Sequence, residues 1–595
     1  MYDCRAKANG TIEEKVIKNP SDDFFKEFLK PYYVITKDGQ YLFASMQKGR
    51  RPDRAFYMVP DGYKLGRGQK KFDTYIGKKL YEIIDDYLKK ARIIVQEGVQ
   101  GEKGYEVGIK IITSIENPHS AYIAWMGKLM IFPPKKIKIS CFNIIIPERL
   151  PEEYISKIWE FWPDFDPDEP LTLYDFTDMK KDVRKVLNLR IDYFGGAFKK
   201  PNLTMVWNKA EEEGLISYHA GCSDGRILKG LSGTGKTTLT VGKDIEQDDA
   251  LVGLPIHENG KVRKVKLIGL EAASFAKSEG LTEKSPEWKG LMSSKTKNAV
   301  VLALNIDCEG VEYVHKRIKG HDVIVPYATT RVGSLQCTKY EKSGTTNGRF
   351  IFQFKELNKN WGSNKYLMAE GLSFRRYDVL EPIFRVTDAR AAVAFDSACE
   401  SIITSAVAGR KVGERVRSYA ATDFMAREQA EQAILKLKIY RDLDLSLEGN
   451  LIFFVVNTGY VGEYDINGQP INGGGHGEKI TVEDTKKLLY LVEKKKIKNW
   501  IEHPAFGYLL PEPKELEKHG IKKFRERFNL LRFYEAEEIK KFYERDALER
   551  TKFLENLFKG QEGEKELRDV INIWKKKRIP SPDKIKEFFE LYYME

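Results

Sequence analysis

Apolar and polar positions follow two periods along residues 1–205. In 22–30 (DDFFKEFLK) and 79–91 (KLYEIIDDYLKKA) an apolar residue returns every three or four positions, which predicts one-sided helices. The runs 104–115 (GYEVGIKIITSI), 121–132 (AYIAWMGKLMIF) and 139–147 (ISCFNIIIP) are rich in strand formers and predict strands. From about 206 to 540 the pattern stays mixed. Strands are predicted at 298–307 (NAVVLALNID), 322–329 (DVIVPYAT), 348–354 (GRFIFQF) and 450–457 (NLIFFVVN), and a helix over 423–438 with Asp423 as its cap. After 540 helical periodicity takes over, in 538–558 and 582–593. The fold class is therefore α/β (mixed α+β). We expect two domains, 1–205 and 206–540, with a cleft between them, and a helical C-terminal extension over 541–595.

Composition narrows this picture only a little. The 595 residues are ample for several cores without covalent staples. Six cysteines stand apart with no C-x-x-C pair, which argues against a disulfide framework or zinc ribbon and fits a reducing interior. Apolar runs such as AVVLALNI are too short to span a membrane, and the first ten residues lack a signal-peptide core, so a cytoplasmic protein is expected. The net charge of +12 comes from charges interleaved along the whole chain. Its basic clusters are short and separated, so a solvated surface is expected rather than a nucleic-acid face.

Chemistry enters at 229–240, KGLSGTGKTTLT. Gly230, Leu231, Ser232, Gly233, Thr234, Gly235, Lys236 and Thr237 fill the pattern G-x-x-x-x-G-K-[ST], and Thr238 follows. In such a loop the glycines let backbone N–H groups wrap a polyphosphate, the lysine reaches the terminal phosphates and the hydroxyl holds Mg²⁺. A short strand over 225–230 should precede it and a helix should follow, with its dipole facing the anion. Asp248 and Asp249 lie just beyond that helix, where adjacent carboxylates can hold a cation. Asp307, closing the apolar run 298–307, is a rival in the position of a Walker-B carboxylate.

Upstream of the loop stand YFGGAFKK (193–200) and ISYHAGCS (216–223). Gly-Gly-x-x-Lys-Lys, a histidine, GLSGTGKTT and Asp-Asp, in that order, resemble the ATP-dependent phosphoenolpyruvate carboxykinase family. GRRPDRAFYMV (49–59) is similar to the family's substrate-arginine segment, and ATTRVGS places Arg331 at its T-R-V arginine. VVNTGYVG (455–462) and GEKITVEDTKKLL (477–489) are similar to its V-N-T-G-W and adenine-side segments. The likeness covers about residues 45–490 in islands; 491–595 match no part of the family.

That resemblance implies a two-domain fold with a P-loop nucleotide-binding domain and the active site in the inter-domain cleft. It also implies conversion of oxaloacetate and ATP to phosphoenolpyruvate, ADP and CO₂, with Mg²⁺ and Mn²⁺ as cofactors. Lys200, His219 and Asp249 would ligate Mn²⁺, Thr237 would hold the Mg²⁺ of ATP, and Asp248 would organise the surroundings. Lys236 would neutralise the β- and γ-phosphates, while Arg50 and Arg331 would grip substrate carboxylate and developing charge. Lys277, Lys479, Ile480 and Thr485 would contact the nucleotide. A lysine ligates metal only as the neutral amine, so a neighbouring positive charge such as Lys199 must lower the pKa of Lys200.

The chain also departs from the family. Phe194 stands in place of a tyrosine expected to face the substrate, Ala197 in place of glutamate, and Lys479 in place of arginine. Two alternatives stand beside it: a carboxykinase-fold kinase acting on another small-molecule acceptor, motivated by Phe194, and a P-loop ATPase coupled to nucleic-acid or protein binding, motivated by the net charge of +12 and by Asp307. Oligomeric state is not legible.

Overall fold

The computed structural model describes residues 15–231, 233–241, 244–297, 299–338, 347–362, 365–403, 413–419 and 421–594. Ser232 of the phosphate loop lies outside them. The architecture is mixed α/β, built on several sheets.

A seven-stranded sheet gathers the N-terminal strands in the order Val16–Lys18, Ile93–Gln100, Val107–Ser114, Ile139–Ile146, Arg184–Leu189, Leu171–Asp175, Ala55–Met58. A five-stranded sheet combines Ala273–Lys277, Arg349–Gln353 and Leu302–Leu304 with Tyr41–Phe43 and Val34–Ile35 from the N-terminal part of the chain. Between these two sheets runs the helix Ala121–Met130, whose residues are buried almost throughout. The strand expected at 121–132 is thus mainly this helix. Its all-round apolar sequence reflects burial on every side, a setting in which periodicity cannot separate helix from strand.

The expected helices near 22–30, 79–91, 538–558 and 582–593 are present as Asp22–Phe28, Thr74–Lys90, Ala536–Phe558 and Pro582–Met594. The helix expected from Asp423 starts later, at Gln429, and runs to Leu443. Thr422–Phe424 forms a separate short turn, so Asp423 does not cap that helix.

An eight-stranded sheet carries the phosphate loop. Its order is Ile245–Asp248, Ala220–Ser223, Arg226–Lys229, Ala369–Phe374, Ile452–Asn457, Ile383–Arg385, Leu509–Pro511, Trp500–Glu502. Asp224-Gly225, both at positive φ (50° and 74°), turns the chain tightly between Ala220–Ser223 and Arg226–Lys229. That dipeptide is the preferred chemistry for a two-residue hairpin. The loop then leaves the end of Arg226–Lys229, the short strand the sequence predicts. The helix that follows, Lys236–Thr240, is only five residues long. It packs so closely on the sheet that a Cβ at Gly221 would lie 2.0 Å from Thr240 Oγ1.

Candidate active site

Strand register creates the first part of the site. Gly221 pairs with Asp248, and Asp249 N–H donates to the Ala220 carbonyl (2.9 Å), so the Asp-Asp pair lies beside His219. Asp249 adopts φ 90°, uncommon for a residue with a side chain and concentrated at functional positions. The second part comes from Gly195–Lys199, a π-helical turn that passes into the helix Lys200–Glu212 with Pro201 in its first turn. Such an irregularity often marks a functional site, and here it aims two successive lysines at one carboxylate.

All these groups meet at Asp249. Its Oδ2 lies 2.5 Å from Lys200 Nζ and 3.0 Å from Lys199 Nζ, and its Oδ1 lies 2.5 Å from His219 Nε2. Lys199 Nζ also reaches buried Glu271, at 3.2 Å. Burial, reinforced by Lys199 and Arg50 against the opposing pull of Asp249, brings Lys200 down to about 8. Lys199 is raised instead, because Asp249 and Glu271 outweigh its burial. Burial, with Lys236 adding to it, lowers His219 to about 4 and keeps the imidazole neutral. Burial would raise Asp249, but Lys199, Lys200 and His219 hold it well below the usual carboxylate range. Burial pushes Glu271 up to about 7.

The loop stands next to this cluster. Lys236 Nζ donates to the Gly230 carbonyl (2.6 Å), and Thr237 Oγ1 donates to Asp248 Oδ1 (3.2 Å). Ser274 Oγ donates to the other oxygen of Asp248 at 3.0 Å. At Gly230 a Cβ would fall 2.4 Å from the Ser373 carbonyl oxygen, so only glycine allows the loop to turn there. The loop's far side is tied down by two hydroxyls on one acceptor: Ser373 Oγ and Thr458 Oγ1 donate to the Thr234 carbonyl at 2.6 and 2.8 Å.

Phe424 forms a common face for three charged or polar groups. Lys200 Nζ lies 4.2 Å and Arg50 Cζ 4.8 Å from its ring centroid, and the His219 ring packs edge-on at 5.2 Å. Nothing in the local sequence of Phe424 announces this. Glu271, Ser373 and Thr458 were also not singled out as site residues. A lone glutamate closing an apolar run was the available signal for Glu271.

The remaining expected residues are more dispersed. Arg331 is exposed just past the strand His321–Ala328, with its carbonyl against Gly310. Lys277 ends a strand of the five-stranded sheet and lies 3.8 Å from Glu279. Lys479 sits over the Tyr460 ring at 5.9 Å, and the Ile480 N–H donates to the Gly459 carbonyl at 3.0 Å. Thr485 is buried in the helix Val482–Glu493, its hydroxyl donating back to the Thr481 carbonyl. Leu231 is half-buried, while Gly233 and Thr238 are exposed. Asp307 lies beyond Leu302–Leu304 in the five-stranded sheet, away from the sheet that carries the loop, and Asp248 is the carboxylate bonded to Thr237. Phe194 is fully buried, stacked on Phe198 at 5.2 Å and edge-on to Phe275 at 5.0 Å.

Residues 14–307 match the family model described as phosphoenolpyruvate carboxykinase. That stretch, just under half of the chain, is similar to the family. Curated relatives are similar over part of their length. A phosphoenolpyruvate carboxykinase (ATP) of Caldanaerobacter subterraneus subsp. tengcongensis is 24% identical over 270 residues, 43% of this chain and 47% of the relative. The protein of the same name from Christiangramia forsetii is 25% identical over 300 residues, 49% of this chain and 46% of the relative. The chain thus spans about half the length of the curated carboxykinases it matches.

Among the described residues no group of three or more His, Cys, Asp or Glu side chains is arranged to hold a metal. The donor set expected from the sequence resemblance includes a lysine, which lies outside such a grouping. A buried amine brought down to about 8, a neutral imidazole and an ionised carboxylate converge here, and that nitrogen–nitrogen–oxygen set fits a divalent transition metal such as Mn²⁺. Among the described residues no helix is long and apolar enough to cross a membrane.

Proposed function

We propose that the protein is an ATP-dependent phosphoenolpyruvate carboxykinase. The convergence of Lys200 and His219 on Asp249, beside Lys236 and the Thr237–Asp248 pair, is the observation that carries this reading. Oxaloacetate loses CO₂ as the bond between its methylene carbon and the attached carboxylate breaks, and the electron pair passes to the neighbouring ketone as an enolate. The enolate oxygen then bonds to the γ-phosphorus of ATP while the bond to ADP breaks. A site for this sequence needs fixed positive charge at two neighbouring points.

Arg50, with its guanidinium against Phe424, holds the substrate carboxylate next to Lys200, and Arg331 supplies the second grip. Lys236 meets the β- and γ-phosphates. Thr237 and Asp248 would hold the Mg²⁺ of the nucleotide, and Lys200, His219 and Asp249 would hold Mn²⁺. Bound at these two places, the cations supply Lewis-acid charge that the lysines do not. Lys199 stays protonated and offsets Asp249 and Glu271, so Lys200 is free to act as an amine. Lys277, Lys479, Ile480 and Thr485 form the nucleotide side. The reading carries with it a two-domain carboxykinase architecture, a cytoplasmic setting and small-molecule partners without nucleic acid.

Phosphoenolpyruvate and ADP formation from oxaloacetate and ATP, with Mg²⁺ and Mn²⁺, tests the reading beside Lys200→Ala and His219→Ala. Turnover that vanishes in both variants supports it. ATP binding without phosphoenolpyruvate favours a second reading, a carboxykinase-fold kinase with another acceptor. Phe194 motivates that alternative, because its buried ring places no phenol at the substrate.

A further inference from the structure

The residues that hold the phosphate loop from behind lie beyond residue 307, outside the family match. Ser373 and Thr458 secure the Thr234 carbonyl, and both belong to a junction around Arg376. The Arg376 N–H donates to Asn457 Oδ1 (3.0 Å), and its carbonyl accepts from Tyr460 N–H (2.9 Å). Between these partners, Thr458 reaches the loop and Gly459 accepts from Ile480 N–H, so the backbone of Arg376 anchors the two residues that flank this link between the loop and Ile480.

The Arg376 side chain is fully buried, and the long helix Ala536–Phe558 supplies one of its counter-ions. Arg376 Nη2 lies 2.8 Å from Asp546 and from Asp378, and Nη1 pairs with Glu400. Asp546 in turn takes Arg415 at 3.1 Å and Arg545 at 3.3 Å, while Arg550 of the same helix donates to Glu400 at 2.8 Å. Buried ion clusters of this kind add little net stability compared with apolar packing, but they fix geometry, since each partner is costly to leave unpaired.

We propose that the helix Ala536–Phe558 braces the phosphate loop through Asp546 and Arg376, which act as positioning residues for the nucleotide. This proposal rests on the reading that the loop binds a nucleoside triphosphate. Asp546→Asn keeps the shape of the side chain and removes its charge. In the full-length protein it is expected to raise the Kd for MgATP at least tenfold. It is also expected to raise the KM for ATP without raising that for the acceptor, and to speed amide exchange over 230–238 about tenfold. Asp546→Glu restores affinity to within threefold, and Leu548→Ser, on the exposed face of the same helix, changes none of these. Unchanged affinity and exchange in folded Asp546→Asn overturns the brace. If that variant does not fold, Arg545→Met, which removes one contact to Asp546 and one to Asp378, decides it. At least a threefold change in the same direction supports the brace, and none overturns it. A wild-type protein that binds no MgATP removes the nucleotide reading, whereas loop exchange in the nucleotide-free variants still decides the brace.

Discussion

Lys199 and Lys200 share one oxygen, with their Nζ atoms 3.0 and 2.5 Å from Oδ2 of Asp249, yet the site drives their proton affinities in opposite directions. Lys199 has a second carboxylate, Glu271, at 3.2 Å, whereas Lys200 faces Lys199 and Arg50. The two positions therefore respond differently to loss of charge. Lys199→Met leaves two buried carboxylates short of a cation and should cost about 3–5 kcal/mol. Lys200→Met removes a disfavoured buried charge, so denaturant unfolding should show unchanged or higher stability together with lost turnover. Equal destabilisation by both substitutions would contradict this division of labour.

Phe424 offers a second test. Each cation over its ring contributes about 0.5–2 kcal/mol. Phe424→Leu keeps most of the apolar volume and loses that attraction, so the KM for the carboxylate substrate should rise roughly 2–30-fold. Thermal melting should change little, and a normal KM would show that the ring only fills space.

The shared acceptor at Thr234 predicts non-additivity. Either Ser373→Ala or Thr458→Val leaves one hydroxyl on the carbonyl, and MgATP affinity should fall less than about threefold. The double variant leaves that acceptor without either hydroxyl and should lose more than about tenfold, beyond the product of the single effects. Calorimetric titration of the four proteins gives the coupling directly, and simple additivity would refute it.

Glu211, buried on the helix Lys200–Glu212, sets a pH dependence away from the chemistry. Burial raises its carboxyl from 4.5 to about 8. The associated stabilisation is complete below about 4.5 and is lost as pH rises through about 8, amounting to roughly 5 kcal/mol. Glu211→Gln should therefore remove this component of the fall in stability between about pH 4.5 and 8. Identical pH slopes for the two proteins would exclude the assignment.

Much of the site was legible in order rather than in shape. The glycines and Lys236 of the loop fill a phosphate-binding pattern, and the Lys-Lys pair, His219 and Asp248-Asp249 stand around it in an order that resembles the carboxykinase family. The run at 121–132 was not legible in the same way, because a helix buried on all sides loses the polar face that would reveal its period. Phe424 and Asp546 lie far along the chain from the Lys-Lys pair and from the phosphate loop, and no local pattern marks either one.

The sequence alone determined the phosphate loop, its following helix and the candidate cation ligands, because a backbone cradle for phosphate is built from consecutive residues. Only the tertiary structure decided what drives Lys199 and Lys200 apart, which aspartate meets Thr237, and what holds the loop from behind. Those properties depend on burial and on charges brought together from distant segments, and neither is encoded in any one stretch of chain.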